Sequence, residues 1–458
     1  MKLSRSEVRK KAHAIPALRF ERQTLTSFSG LVVFQALFAK LQLKARLAQC
    51  FRCLGNEKTF DRATLFLQLV VHFLLGYREL RHACHYQDDP LVKRVLGLSR
   101  LPDVSTLSRM LQEATAHTVE NLRLLLRGTV LDRLRSLALP RITMDFDGSV
   151  LSTSRHAEGT AVGFNKKKKG ARSYYPLFCT IPQLGQVFDV LHRPGNVHDS
   201  NGAKAFILQC IERVRQVAPW AIIEVRLDSA FFSDEIVSAL DELGVEFTIS
   251  VPFERFAKLK GLVEGRRRWW RLDGETSYFE TKWKPESWPQ QYRFLVIRTV
   301  AKKQHKGPVQ LDLFVPHEYG YEFKVIVTNK TVRPRTVVRY HEGRGAQENV
   351  FAELKSHCHL GYIPVRTLCG NQTYLLAGLF AYNLTRELQM QTTEPVRGTT
   401  GNRAALWVFE KVDTLRKTVL QKAGRLSRPG GILTLTIAGG RTLKERISQL
   451  LAALPASS

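Results

Sequence analysis

Ile222–Val251 reads IIEVRLDSAFFSDEIVSALDELGVEFTISV, and its periodicity changes twice along the chain. Ile222–Asp228 alternates apolar and polar residues as a strand does, and it ends in an aspartate that is followed by a serine. Ser233–Leu243 has apolar residues at helical spacing, and Glu246–Val251 returns to the alternation of a strand. The stretch predicts a strand–helix–strand unit with Asp228 at the carboxyl end of its first strand, where open α/β sheets place their ligands.

The residues before this unit predict three further strands and a helix. Arg141–Asp147, Pro176–Ile181 and Gln186–Leu191 are short runs rich in β-branched and apolar residues, and loops with glycine or proline separate them. Ser200–Ala218 then has the apolar spacing of a helix. Three strands, a helix and a strand–helix–strand unit follow the order of an RNase H-like core. The predicted fold class is therefore α/β, with a mixed five-stranded sheet and flanking helices.

The rest of the chain is predicted to add a helical start, an insertion and an appendage. Helical spacing in Thr64–Tyr77 and in Ser105–Arg127, with Ser105 as an N-cap, indicates an all-helical first region. Alternation in Tyr292–Val300 and Val309–Val315 indicates a β-rich insertion. The predicted units are a helical basic region at 1–139, the first part of the core at 140–252, the β-rich insertion at 253–322, the second part of the core at 323–391, and a basic helical appendage at 392–458.

The chain is strongly basic. Its 458 residues include 69 Lys and Arg against 41 Asp and Glu, which gives a net charge of +28. Such an excess is costly to keep compact unless a polyanion neutralises it, so nucleic acid is the natural partner. No apolar run approaches the roughly 20 residues of a membrane span. Seven cysteines, an odd number, do not indicate a disulfide framework, so we expect a reducing, cytoplasmic setting and no membrane partner.

Two short motifs place aspartates at predicted strand ends. Thr143–Ser149 reads TMDFDGS, and because Asp145 and Asp147 are two residues apart on a strand, both side chains leave the same face. Asp228 ends a second strand in the same way. Each motif taken alone also fits an ordinary turn, because aspartate commonly initiates or caps turns.

A third motif, Tyr340–Lys355, reads YHEGRGAQENVFAELK. On a helix that turns about 100° per residue, Arg344, Glu348 and Lys355 share one face, whereas Glu353 lies elsewhere and is expected to be solvated. An acidic residue between two cations can help to hold a metal ion while the cations bind phosphate. A salt-bridged surface helix is the alternative interpretation of this segment.

The three motifs together predict a metal site. Carboxylates from the first strand, the fourth strand and a late helix would converge within a very basic chain. Hard divalent cations such as Mg²⁺ take oxygen ligands of this kind, and two such ions can promote displacement at a phosphodiester. We therefore expect two Mg²⁺ or Mn²⁺ ions per active site.

On these motifs the chain resembles the DDE transposases of bacterial insertion sequences. The resemblance is to the group with a Tyr-Arg-Glu-Lys signature and a β-rich insertion before the glutamate helix, and it covers most of the chain. The segments that carry it are Asp89–Leu91 through Leu107–Arg109, Met144–Gly148, Arg193–Asn196, Arg226–Ser229, Tyr340–Lys355 and Phe380–Asn383.

The resemblance implies a role for each signature residue. The implied metal ligands and catalytic residues are Asp147, Asp228 and Glu348, and the implied phosphate-binding residues are Tyr340, Arg344 and Lys355. Asp145 is the alternative to Asp147. The signature usually has two residues between its Tyr and Arg, whereas three stand here. Four steps along a helix would still keep Tyr340 on roughly the same face as Arg344.

The resemblance also implies an activity and its partners. The protein is expected to be a cut-and-paste transposase of the bacterial cytoplasm that cleaves double-stranded DNA at terminal inverted repeats and joins the 3′ hydroxyl to target DNA. A homodimer is expected, since two element ends must be held together. The helical region at 1–139 would bind the repeats. The alternatives are an RNase H-fold nuclease without strand transfer and a DNA-binding regulator without catalysis.

Further cations and aromatic residues are candidates for DNA contact. The candidate phosphate or base contacts outside the signature are Lys166, Lys167, Lys168, Arg172 and Arg109. Four tryptophans of the insertion stand near a run of arginines and could stack on unpaired bases, although a small β core is the more common role. These tryptophans are Trp269, Trp270, Trp283 and Trp288.

Overall fold

A computed structural model describes residues 17–21, 23–52, 59–153, 156–163, 165, 168–197, 201–301 and 320–454. The helices are α1 Leu31–Lys40, α2 Leu43–Cys50, α3 Arg62–Leu75, α4 Pro90–Leu96, α5 Val104–Gln112, α6 Ala116–Leu137, α7 Ala203–Val217, α8 Asp234–Glu242, α9 Ala257–Glu264, α10 Pro334–Glu342, α11 Ala346–His357, α12 Leu368–Thr392, α13 Val412–Leu415 and α14 Arg441–Ala452. The strands are β1 Leu25–Thr26, β2 Arg141–Gly148, β3 Leu151–Ser152, β4 Ala161–Val162, β5 Arg172–Tyr174, β6 Leu177–Ile181, β7 Gln186–Leu191, β8 Ile222–Leu227, β9 Glu246–Val251, β10 Trp270–Arg271, β11 Thr276–Trp283, β12 Tyr292–Val300, β13 Tyr321–Thr328, β14 Gly424–Ser427 and β15 Thr434–Ile437.

A mixed sheet forms the centre of the described residues. Its strand order is β10-β11-β12-β13-β9-β8-β2-β6-β7. The pairs β2/β8 and β8/β9 are parallel, and the other pairs of this sheet are antiparallel. The five strands from β9 to β7 have the order and directions of an RNase H-like core. The predicted fold class is therefore confirmed.

The two faces of the central strands differ in chemistry because side chains alternate along a strand. Ile142, Met144 and Phe146 of β2 belong to one apolar cluster together with residues of α7 and α8. The opposite face carries Thr143 and Asp145, both buried polar residues of the same strand. The candidate site lies on this polar face. Strand alternation therefore directs the candidate carboxylates away from the apolar layer.

The N-terminal helices share one hydrophobic core with the C-terminal half of the chain. That core includes residues of α1 to α6 together with α12 and the segment after it. Residues of α3 are buried along its whole length apart from Arg62 at the start, and α3 packs on α12. Arg127 of α6 reaches the sheet, where its Nη1 donates to buried Asp189 of β7 at 2.7 Å. The helical region is thus built into the core and does not form a separate hydrophobic unit.

The insertion contains the strands β10 to β12, and these continue the central sheet beyond β13. The predicted strand at 309–315 lies outside the described residues. The appendage is not purely helical, because β14 and β15 pair with β1 in a small sheet that joins the two ends of the described chain.

Two local predictions also need correction. The predicted helix over Ser105–Arg127 is two helices, α5 and α6, with Asp103 and Thr115 at the N-cap positions. The predicted helix through Tyr340–Lys355 is divided by a 3₁₀ turn at Gly343–Gly345. Within the described ranges, none of the helices combines the length and the apolar composition that a membrane crossing requires.

Candidate active site

Asp147 and Asp228 end two neighbouring parallel strands. The register pairs Asp145 of β2 with Arg226 of β8, and each candidate aspartate lies two residues further along its own chain. Neighbouring strands are about 4.8 Å apart, so this register brings the two strand ends side by side. Both aspartates are partly buried on the polar face. The Asp228 carboxylate accepts a hydrogen bond from the backbone N–H of Ala230 at 2.8 Å, which fixes it at the start of a 3₁₀ turn.

Asp145 has a different environment from Asp147. Its two carboxylate oxygens accept hydrogen bonds from Nε and Nη2 of Arg226 at 2.6 and 2.7 Å. Both side chains are fully buried. A carboxylate held in a buried bidentate pair has its oxygens occupied, whereas 22% of the Asp147 side chain is exposed. This contrast favours Asp147 over Asp145 as the candidate metal ligand.

The glutamate helix lies over the same face of the sheet. Nη1 of Arg344 is 3.6 Å from Oδ2 of Asp147, and Nε2 of Gln347 donates to the backbone carbonyl of Asp145 at 3.2 Å. Glu348 follows Gln347 in the first turn of α11 and is exposed. The structure therefore brings the start of α11 to the end of β2 and leaves the Glu348 carboxylate in solvent.

Tyr340 is a correction to the expected set of phosphate contacts. Its side chain is 1% exposed, and its ring lies among cations, with Nζ of Lys330 at 4.2 Å and Cζ of Arg226 at 5.2 Å from the ring centroid. The 3₁₀ turn before α11 breaks the helical phase that was expected to align Tyr340 with Arg344. A residue buried in this way contacts the protein interior, so in this conformation it does not reach a DNA phosphate.

Glu353 was expected to be solvated, but its carboxylate is paired inside the protein. It pairs with Nη2 of Arg386 at 2.5 Å and accepts a hydrogen bond from the backbone N–H of Val412 at 3.1 Å. Lys355, by contrast, is exposed on the same helix. Glu353 thus holds the glutamate helix to α12 and to the first residue of α13, while Lys355 faces solvent.

The other candidate DNA-binding residues differ in their exposure to solvent. Lys168 and Arg109 are exposed. Arg172 is turned inward, where Nε donates to Oγ1 of Thr160 at 3.0 Å and Nη2 donates to the Thr160 carbonyl, so its guanidinium joins the start of β5 to the residue before β4. Lys166 and Lys167 lie outside the described residues. Arg109 lines a surface pocket in which acidic side chains are also present, so that pocket is not uniformly basic.

The structure reveals a buried charge cluster that sequence reasoning missed. The carboxylate of Glu224 accepts hydrogen bonds from Nε and Nη2 of Arg403 at 2.7 and 2.9 Å and from Nζ of Lys330 at 2.7 Å. Burial alone would raise the pKa of Glu224, but the hydrogen bonds from Arg403 and the charge of Lys330 lower it from 4.5 to about 2. The polar alternation of the β8 strand could have indicated a charged face, but it does not identify partners that lie 106 and 179 residues away along the chain.

His341 anchors α10 to the sheet beside this cluster. Its Nε2 lies 2.9 Å from Oγ of Ser250, and its Nδ1 lies 2.9 Å from Oγ1 of Thr248, both on β9. Burial lowers the pKa of His341 well below its ordinary value, so the ring is neutral. A neutral ring can bridge the two hydroxyls, which fixes the end of α10 immediately before the turn that leads to Arg344.

The two strand-end aspartates have the donor chemistry that a divalent cation requires. Asp147 and Asp228 supply oxygen donors at neighbouring strand ends, which are the donors that Mg²⁺ and Mn²⁺ prefer. In the described part of the chain, no three Asp, Glu, His or Cys side chains come close enough together to hold a metal ion. The two aspartates therefore fit such an ion by chemistry and position, and Glu348 is not gathered with them in this conformation.

An RNase H-like sheet with aspartates at two neighbouring strand ends and a glutamate helix over the same face defines a class of proteins that act on nucleic-acid phosphodiesters. Within this class, the chain belongs to the family described as Transposase DDE domain group 1, whose model matches residues 10–458. No curated protein matches the chain.

Solved structures show distant similarities. The chain is similar to a piggyBac transposase in a synaptic complex with hairpin DNA, at 10% identity and a TM-score of 0.36, over 92% of this chain and 85% of that one. It is also similar to Mos1 transposase in a paired-end complex with the left transposon end, at 11% identity and a TM-score of 0.18, over 42% and 59% of the two chains. The Mos1 mariner paired-end complex with Mn matches at 12% identity and a TM-score of 0.17, over 44% and 65%. Similarities at this level of identity and TM-score do not assign a role to any residue of this chain.

Proposed function

We propose that the protein is a cut-and-paste transposase of a bacterial insertion sequence. It cleaves double-stranded DNA at the terminal inverted repeats of the element and joins the freed 3′ hydroxyl to target DNA. The observation that carries this proposal is the pair Asp147 and Asp228 at neighbouring strand ends on one polar face, with Arg344 beside Asp147. Membership of the family supports the same reaction class.

Each residue has a proposed task. Asp147, Asp228 and Glu348 would hold two Mg²⁺ or Mn²⁺ ions, which when bound would activate the attacking oxygen and stabilise the leaving one. Arg344 and Lys355 stand before and after Glu348 along the chain, and they would bind the phosphates that flank the scissile bond. Lys168 and Arg109 are exposed cations that would contact DNA further out. Tyr340 and Arg172 are removed from the proposed contacts because their side chains are engaged inside the protein.

The reaction requires two ends to be held at once, so we propose that the protein acts as a homodimer on DNA. A net charge of +28 supports tight, salt-dependent binding to a polyanion, because neutralising each phosphate releases counterions. The N-terminal helices would supply the contacts to the terminal repeats.

Cleavage of a duplex that carries one element end tests the proposal. The purified protein is incubated with this DNA and Mg²⁺, and Asp228→Asn is expected to lower the cleavage rate by about a thousandfold or more, since removal of any one member of a catalytic unit costs on this order. Glu235→Gln is the matched control, because Glu235 is an exposed acidic residue a short distance along the same segment. Undiminished cleavage by Asp228→Asn would refute the proposed mechanism.

Strand transfer separates a transposase from a nuclease with the same fold. Precleaved element ends with free 3′ hydroxyls are supplied together with supercoiled target DNA. A transposase joins the two molecules, and a nuclease releases fragments without joining. Absence of any metal-dependent turnover, with retained binding to the repeats, would instead support a DNA-binding regulator.

A further inference from the structure

We infer that Arg226 is the positioning residue that holds the three segments bearing the candidate catalytic carboxylates in register. This inference rests on the proposed function, because it concerns how the same site is assembled. Arg226 does not touch DNA or a metal in this scheme. It acts through the main chain and through Asp145.

The guanidinium of Arg226 joins three parts of the fold. Nε and Nη2 donate to the two carboxylate oxygens of Asp145 on β2 at 2.6 and 2.7 Å. Nη1 donates to the carbonyl of Tyr340 near the end of α10 and to the carbonyl of Asn402 in the segment after α12, both at 2.8 Å. Since the side chain is completely buried, water does not compete for these four hydrogen bonds.

Apart from the Asn402 carbonyl, each group that Arg226 touches lies a short way before a candidate catalytic residue along the chain. Asp145 comes two residues before Asp147, and Arg226 itself comes two residues before Asp228. The Tyr340 carbonyl lies near the end of α10, shortly before the turn at Gly343–Gly345 that leads to Glu348. A displacement of the guanidinium would therefore change the position of α11 relative to both strand ends.

Gly343 shows how closely α10 approaches this guanidinium. A Cβ atom built at Gly343 would lie 2.1 Å from Nη1 of Arg226 and 2.0 Å from the carbonyl oxygen of Asn402. The backbone of Gly343 has φ −58° and ψ −16°, which any residue adopts. Glycine is thus required here for space and not for backbone freedom, and the space it leaves is filled by the Arg226 contacts.

Gly345 offers a matched control in the same turn. Its backbone has φ −57° and ψ −17°, close to that of Gly343, and a Cβ atom at this position would meet none of the described residues within 4 Å. Alanine at either position changes helix propensity by the same amount. The two substitutions therefore differ in the collision with Arg226 and Asn402.

The experiment compares Gly343→Ala with Gly345→Ala in the full chain. Single-turnover cleavage is measured at saturating DNA, together with DNA affinity and hydrogen exchange of the amides in 346–350. Gly343→Ala is expected to slow cleavage about tenfold or more, because small misplacements of reacting groups cost rates of this order. It should speed exchange in 346–350 and leave DNA affinity nearly unchanged, whereas Gly345→Ala should resemble the wild type. Equal behaviour of the two variants would overturn the inference.

A second pair of variants covers the case in which Gly343→Ala does not fold. Arg226→Lys keeps the charge opposite Asp145 but loses the planar fork that makes four hydrogen bonds at once. Arg403→Lys is its control, because Arg403 is also a bidentate arginine, partly buried, but pairs with Glu224. Arg226→Lys is expected to bind Mn²⁺ about tenfold more weakly by electron paramagnetic resonance. Arg403→Lys should bind it as the wild type does, and an equal loss in both variants would contradict the inference.

These outcomes separate the inference from the proposed function. A wild-type protein that does not cleave DNA with Mg²⁺ refutes the proposed function, while the exchange measurement still tests the role of Arg226. A wild-type protein that cleaves, with Gly343→Ala and Arg226→Lys matching their controls in rate, exchange and Mn²⁺ binding, refutes the inference and leaves the proposed function intact.

Discussion

Asp145 and Asp147 lie on the same face of β2 and differ in what neutralises their charge. Asp145 is enclosed with Arg226, whereas Asp147 is partly exposed and has Arg344 at 3.6 Å. Replacing one partner of a buried ion pair leaves the other charge uncompensated, at a cost of roughly 3–5 kcal/mol. Asp145→Asn is therefore expected to lower the free energy of unfolding by that order, and Asp147→Asn by less than about 1 kcal/mol.

Urea unfolding and DNA cleavage, measured on the same two variants, check this division of roles. Asp147→Asn should abolish cleavage at nearly wild-type stability. Asp145→Asn, at a temperature where it remains folded, should retain measurable cleavage. If Asp145→Asn were inactive and stable while Asp147→Asn were active, Asp145 would be the metal ligand and the assignment here would be reversed.

Glu224 is expected to make stability depend on acid. Its pKa in the folded protein is about 2, against 4.5 when unperturbed, so its contribution is fully present above pH 4.5 and is lost as the pH falls from 4.5 towards 2. At about 1.4 kcal/mol per pKa unit, the contribution is roughly 3 kcal/mol. Urea unfolding from pH 7 to pH 2 should show a decline in this window that is smaller in Glu224→Gln.

The control for this measurement is Glu235→Gln, whose carboxylate is exposed and is paired only loosely, with Lys204 at 3.4 Å. It should follow the wild-type curve at all pH values. Because removal of the Glu224 charge leaves Arg403 without its carboxylate and Lys330 with Glu246 alone, Glu224→Gln should also be less stable at pH 7. A wild-type slope in Glu224→Gln would show that other carboxylates carry the acid sensitivity.

At the scale of elements, β10 at the edge of the extended sheet carries the most exposed of the four insertion tryptophans. Trp270 is 63% exposed. The ring of Trp269, by contrast, packs inside the insertion, with its centroid 4.8 Å from the ring centroid of Phe279 and 4.4 Å from Cζ of Arg298. Aromatic side chains can stack on unpaired bases, at about 1–3 kcal/mol per base. Trp270→Ala is therefore expected to weaken binding to DNA with unpaired bases near the cleaved end by about fivefold or more.

Fluorescence anisotropy with duplex and partly single-stranded ends measures this effect. Trp270→Ala should lose affinity for the single-stranded form and little for the duplex, without a change in melting temperature. Trp269→Ala is the structural comparison, and it should lower the melting temperature because its ring packs inside the insertion. Equal affinities of Trp270→Ala and the wild type for unpaired ends would exclude base stacking by Trp270.

Strand alternation predicted the central strands well, because burial of one face gives β2, β8 and β9 a period of two that is visible in the sequence. The continuation of the sheet through β10 to β13 depends on which edges pair, and a local pattern does not specify this. The break between α5 and α6 at Glu113–Thr115 contains no glycine or proline, so no breaker signalled it.

The candidate site was predictable in part for the same reason. The strand-end positions of Asp147 and Asp228 follow from alternation and chain order. The burial of Tyr340 depends on a 3₁₀ turn and on cations from three other segments, Arg226, Lys330 and Arg403, which lie near its ring. The inward turn of Arg172 likewise depends on a partner, Thr160, in another short strand connection. Residue type alone does not distinguish a cation that binds DNA from one that holds the fold.

At the scale of the whole molecule, strand pairing and hydrogen bonds join the N-terminal helices to the residues after α12. Strand β1 pairs with β14, and Thr26 lies opposite Gly424 in that pairing. Arg416 donates from Nε to the carbonyl of Leu74 and from Nη2 to the carbonyl of Phe73, each at 3.0 Å, and so satisfies carbonyls at the end of α3. The residues after α12 are therefore part of the core of the N-terminal helices.

This arrangement predicts different results for two truncations of the C-terminal residues. A chain that ends after Thr392 loses buried Trp407, the Arg403–Glu224 pair and the Arg416 contacts with α3. It exposes apolar surface and removes the Arg403 partner of the buried Glu224 carboxylate, so it should not unfold cooperatively by circular dichroism. A chain that ends after Gly440 loses α14, in which Ile447 is the buried residue, and it should fold with a lower melting temperature. An independent appendage would instead leave the melting temperature of the shorter chain unchanged, and limited proteolysis of the full chain would then release residues 393–458 without exposing α3 to cleavage.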